Sequence, residues 1–157
     1  MKSIIFSFFL LLNLSSVAQP GTGGSTILAY DSLLAKKLGA DEYGMKKYIF
    51  AFLKAGKVKV EDTAMAAKIQ SAHLKNILRL ATEGKLILAG PFLDNQNIRG
   101  IFIFNVESIE EAKKLTETDP AIKAGVLEME LRPWYGPAAL IETVRIHKSL
   151  EKKSVAD

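Results

Sequence analysis

Apolar and polar positions along the chain change spacing several times, and each change predicts an element. Tyr48, Ile49, Phe50, Phe52 and Leu53 gather β-forming residues and predict a first strand over residues 47–53. Ala66, Ile69, His73, Ile77 and Leu80 then recur at helical spacing. They predict the longest helix, from Asp62 or Thr63 to Glu83, stopped at Gly84. Residues 85–89 predict a short second strand ending at Gly90-Pro91, and Ile101-Phe102-Ile103-Phe104 centre a third over residues 100–106. The turn residues Asp94-Asn95-Gln96-Asn97 between them make a hairpin. Ser108 and Glu111 have the spacing of a capping box, opening a second helix with Ile109, Ala112 and Leu115 facing inward. Asp119-Pro120 can open a further helical turn ended by Gly125. Leu127, Met129 and Leu131 alternate with Glu128 and Glu130 in a fourth strand, residues 126–131, which Pro133 ends. Two flanking helices complete the pattern. One runs to Leu38, capped by Asp31 and closed by Gly39, and the other covers residues 138–152, anchored by Leu140, Ile141 and Val144.

The order over residues 46–135 is β-α-β-β-α-β, an α+β ferredoxin-like arrangement with an antiparallel sheet. That topology puts the first and third strands at the centre, and both read as apolar on two faces. The fourth strand carries charge on one face, as an edge strand does. Two helices cover only one face of the sheet. Phe50 and Phe52, or Ile49 and Leu53, depending on register, are left on the other. Burying one such side chain stabilises by about 1.5–3 kcal/mol. The economical cover is a second copy, a two-fold homodimer packed sheet against sheet. The alternative is the C-terminal helix of the same chain.

Composition narrows the classes. The chain has 157 residues, no Cys and two His, with 21 basic and 17 acidic side chains for a net charge of +4. This length suits one domain with extensions. The absence of cysteine excludes a disulfide scaffold and a thiol nucleophile. No basic stripe interleaves with aromatics, so no nucleic-acid partner is expected, and His147, Lys148, Lys152 and Lys153 read as a solvated tail.

Met1-Lys2, an apolar run over residues 3–14 and the small residues Ser16-Val17-Ala18 read as a secretory signal peptide cut after Ala18. An uncleaved anchor is the alternative, although a span needs about 20 apolar residues. The expected organisation is a signal peptide at 1–18, a linker at 19–30, a helical extension at 31–45, the ferredoxin-like domain at 46–135 and a C-terminal helix and tail at 136–157. The mature protein would be periplasmic or extracellular, with no membrane span.

Several segments together resemble the YCII-related family. These are Ala72-His73-Leu74, the run from Glu83 through Gly90-Pro91-Phe92, Arg99-Gly100-Ile101-Phe102-Ile103-Phe104, and Thr118-Asp119-Pro120 through Gly125. The resemblance implies a ferredoxin-like fold that dimerises into an α+β barrel similar to muconolactone isomerase. It also implies a His–Asp pair in a cleft between helices and sheet, which carries onto His73 and Asp119. Some members of the family are tied to lactone or aromatic-ring degradation, and most have no established reaction.

The candidate chemistry follows from these residues. Histidine exchanges protons near neutral pH, and a carboxylate beside it fixes its tautomer and stabilises the imidazolium. His73 and Asp119 are therefore the candidate catalytic pair. The alternatives are a core histidine and an ordinary N-cap, with Pro120 at the first helical position. Gly90 and Pro91 would turn the chain and bring backbone to the cleft. Arg99 could hold a substrate carboxylate or make a surface ion pair. Trp134 and Tyr135 would wall the pocket, or pack in the core or an interface. No Walker loop, Gly-x-Gly-x-x-Gly, Gly-x-Ser-x-Gly or His-Glu-x-x-His motif occurs, so no nucleotide, flavin or metal is called for. Two functions remain. One is a cofactor-free enzyme moving a proton on a small organic molecule by isomerase, lactone or elimination chemistry. The other is a non-catalytic binding or assembly module of the cell envelope.

Overall fold

The computed structural model describes residues 29–156. The signal peptide, its cleavage point and most of the linker lie outside them. Helix α1, Ser32–Leu38, has Asp31 as its N-cap, and Gly39 takes the left-handed conformation at its end, φ 68°. Strand β1 is Met45–Ala55. Helix α2, Thr63–Thr82, begins where the Asp62 carboxylate accepts the N–H groups of Ala64 and Met65. Strands β2, Leu86–Pro91, and β3, Ile98–Phe104, form the hairpin. Helices α3, Ile109–Thr116, and α4, Pro120–Lys123, precede strand β4, Leu127–Pro137. A 3₁₀ turn, Ala138–Glu142, leads into helix α5, Thr143–Leu150. Among the described residues no helix is long and apolar enough to cross a membrane.

The four strands make one antiparallel sheet in the order β2-β3-β1-β4, with β1 and β3 central as expected. Register assigns Ile49, Ala51 and Leu53 of β1 to the helix side, where they pack with Phe102, Phe104, Leu80, Leu86 and Ala112. Phe50 and Phe52 therefore take the opposite face, because side chains alternate along a strand.

That opposite face is covered in part from within the chain. Leu140, Ile141 and Val144 of the terminal segment pack over Tyr48, Ile87 and Ile103. Phe50 meets Phe52 with the rings tilted and Trp134 edge-on, with ring centroids 4.9 and 5.9 Å apart. Phe52 and Ile101 remain half-buried farther along the face.

Several local expectations need correction. β4 does not end at Pro133; it runs on to Pro137, with Pro133 opposite Ile49. An edge strand tolerates proline because an outward position has no ladder hydrogen bond to lose. For the same reason Gly90 and Pro91 are not a turn but the last two positions of edge strand β2, with Pro91 opposite Gly100. The capping box is half made. Ser108 Oγ accepts the Glu111 N–H at 3.1 Å, but the Glu111 carboxylate pairs with Lys85 at 3.0 Å. Ile109 is exposed rather than inward. The terminal helix is split, its first turn being 3₁₀.

Candidate functional site

α2 and α4 bring together two residues that are 46 positions apart. Asp119 sits immediately before Pro120, and its Oδ1 accepts the Ala121 N–H at 2.8 Å. Its Oδ2 lies 2.7 Å from His73 Nδ1. Both side chains are buried, Asp119 at 1% and His73 at 8% exposure, so little water competes for the contact. Where the carboxylate is ionised it only accepts, and the hydrogen between them then sits on His73 Nδ1. The imidazole also stacks on Phe102, with centroids 6.1 Å apart and planes 14° from parallel.

His73 Nε2 has no hydrogen-bond partner among the described residues, and it is not a sealed polar atom. His73 is one of the residues lining a cavity of about 1240 Å³. The walls are mostly apolar, from α2, β2 and the start of β3, and Gly90, Pro91 and Arg99 stand among them. A Cβ at Gly90 would meet no atom of the described residues within 4 Å, and Gly90 lines the cavity. Gly100 is different, because a Cβ there would stand 2.5 Å from the Gly90 carbonyl oxygen. Close approach of the two strands therefore requires glycine at position 100.

A second layer supports the pair. Asn76, one turn beyond His73 and buried, accepts from Arg79 Nη2 at 2.8 Å. Arg79 Nη2 also donates to Thr118 Oγ1 at 3.0 Å, and Thr118 lies 3.1 Å from Asn76 Oδ1. Thr118 immediately precedes Asp119, so this network ties the carboxylate's turn to the histidine's helix. Asn76 Nδ2 is buried without a partner among the described residues.

Trp134 and Tyr135 do not line the cavity. Trp134 packs against Tyr48 and Phe50 on the far face of the sheet. The Tyr135 hydroxyl donates to the Asp41 carboxylate. That bond holds Asp41 below the usual carboxylate range and pushes Tyr135 above the usual phenol value. Two residues that the sequence does not mark as cavity lining reach it: His147 of α5, expected in a solvated tail, and Glu151, the residue that follows α5. Their four-residue spacing from Thr143 was the available signal. Among the described residues no three His, Asp or Glu side chains gather as a metal site.

The YCII-related domain matches residues 49–135, more than half of the chain. The chain belongs to the YCII-related family. Its matched domain holds His73, Asp119 and most of the sheet, while α1 and α5 lie outside it. The uncharacterized protein YjpA of Bacillus subtilis is 27% identical over 90 residues, covering 57% of this chain and 95% of that relative. A solved structure, the 5-chloro-2-hydroxyhydroquinone dehydrochlorinase of Burkholderia phenoliruptrix in complex with 2,5-dihydroxybenzoquinone, is 22% identical. It aligns with a TM-score of 0.42 over 55% of this chain and 92% of that one.

Proposed function

We propose that this YCII-related protein binds a small organic molecule in the cavity beside His73 and moves a proton on it without a cofactor. The observation that carries the reading is the division of labour on one imidazole. Nδ1 is held by Asp119, and Nε2 has no partner among the described residues on a side chain that lines the cavity. In this reading His73 is the catalytic residue, and Asp119 positions it.

With Nδ1 protonated, Nε2 carries a lone pair and acts as general base. It takes a proton from carbon next to a carbonyl, and the imidazolium formed is stabilised by Asp119. Returning that proton to another carbon completes an isomerisation. If a leaving group departs with its bonding pair instead, the C–H pair becomes the new double bond and the step is an elimination.

The test is turnover of unsaturated lactones and halogenated hydroxyarenes as a function of pH, for the wild type, His73→Ala and Asp119→Asn. Loss of turnover in both folded variants supports the enzyme. Bound ligand with no conversion in the wild type favours the binding module instead.

Export rests on the N-terminal pattern of one lysine, an apolar run and Ala18. A homodimer is part of the proposal because Phe52 and Ile101 stay half-buried beyond the reach of α5, beside the Lys54–Glu130–Arg132 ion pairs. Sedimentation of the wild type and Phe52→Glu tests it: a dimer that dissociates in the variant supports it, and a monomeric wild type removes it.

A further inference from the structure

The cavity is larger than a ring substrate needs, and one of its walls comes from outside the family domain. A cavity of about 150 Å³ accommodates benzene, and ligand pockets commonly run to about 1,000 Å³. This one is about 1240 Å³. All of β2 lines it, with α2 packed on one face of the sheet and α5 on the other, so the cavity passes around the β2 edge. α5 is fastened there by the Thr143 hydroxyl, 2.7 Å from the Ile87 carbonyl of β2, and by Val144 against the apolar cluster around Ile87. From that anchor His147 and Glu151 follow at one-turn intervals and continue the cavity wall.

The lining is apolar along its length and carries few charges. Lys59 and Arg99 stand against one carboxylate, Glu151. An apolar trough with a cationic surplus disfavours cations and attracts an acid group attached to a long apolar body.

We propose that the cavity takes an elongated amphipathic organic anion, its acid group held by Arg99 and Lys59, with α5 as the wall that sets how long a ligand fits. This rests on the reading of the His73 cavity as a ligand site and adds the ligand's class to it. α5 then acts as a specificity element and has no role in the proton transfer.

The experiment is calorimetric titration of the full chain with benzoate, hexanoate, dodecanoate and dodecyltrimethylammonium, each below its micelle concentration. Dodecanoate is expected to bind at least tenfold tighter than hexanoate, benzoate or the cation. Arg99→Gln should remove most of the preference for anion over cation. His147→Trp changes an exposed position on α5 and places bulk in the long end. It should weaken dodecanoate about tenfold while benzoate stays within twofold. Equal affinity for hexanoate and dodecanoate, or a His147→Trp variant that binds dodecanoate like the wild type, overturns the proposal. If benzoate binds and is lost in His73→Ala while chain length has no effect, the ring-sized reading stands and this one falls. If no probe binds, this proposal falls, and the proton-transfer reading is then decided by turnover of the lactones and hydroxyarenes alone.

Discussion

Asp119 serves His73 and its own helix with different oxygens. Oδ2 meets the imidazole at 2.7 Å, and Oδ1 caps α4 through Ala121 at 2.8 Å. The capping role and the orienting role are therefore compatible in a single side chain.

The two roles separate by substitution. Asp119→Asn keeps an oxygen for the cap but offers an N–H group to Nδ1, which favours the tautomer with hydrogen on Nε2. Its stability is expected to stay within about 1 kcal/mol of the wild type, because the cap survives. The ¹⁵N imidazole shifts should move to the other tautomer. Asp119→Ala loses the cap, worth about 0.5–2 kcal/mol, and leaves a buried N–H unpaired, costing about 1–3 kcal/mol more. Urea unfolding of both variants checks the difference.

Asn76→Ala removes the acceptor shared by Arg79 and Thr118. The expected cost is about 1–3 kcal/mol. The His73 ¹⁵N shifts should change as well, since Thr118 carries Asp119. A change in stability with the imidazole spectrum untouched would limit Asn76 to packing.

Gly100→Ala should destabilise the β2–β3 edge, because its Cβ would stand 2.5 Å from the Gly90 carbonyl oxygen. A cost of about 1–3 kcal/mol is expected for such overpacking, together with faster amide exchange in β2. Gly90→Ala, with nothing within 4 Å of its Cβ, should leave both nearly unchanged.

The Asp41–Tyr135 bond predicts opposite pH effects at the two ends of the scale. Asp41 is lowered in the folded state, first by the Tyr135 hydroxyl, so its contribution is present above the ordinary carboxylate value and lost as pH falls through the depressed one. Tyr135 is raised, first by Asp41, so its contribution is present below the ordinary phenol value and lost as pH rises through the raised one. Tyr135→Phe should melt below the wild type at neutral pH, with the gap closing in acid and in strong alkali. Both groups are exposed, so the gap should be small and reduced by salt.

The strand and helix order was legible because each element is encoded locally. Two-residue alternation in Leu127–Leu131, helical spacing through Ile69, His73 and Ile77, and the caps Asp62 and Asp119 act within a few residues of themselves. The ends were less legible. Pro133 and Pro91 stop a strand only where the missing N–H faces a neighbour, and edge position is a property of the assembled sheet. Trp134 and Tyr135 follow the charged run of β4, and register alone separated a core ring on Tyr48 from a hydroxyl on Asp41.

By itself the sequence determined the elements, the central strands and the presence of a histidine on the inward stripe of the longest helix. Tertiary structure alone decided that His73 and Asp119 touch across 46 residues, that His73 lines a cavity, and that α5 packs along β2 and adds to its lining. The reason is physical. Hydrophobic period and capping are short-range preferences, whereas the distance between two side chains on different helices depends on how both helices pack against the sheet between them.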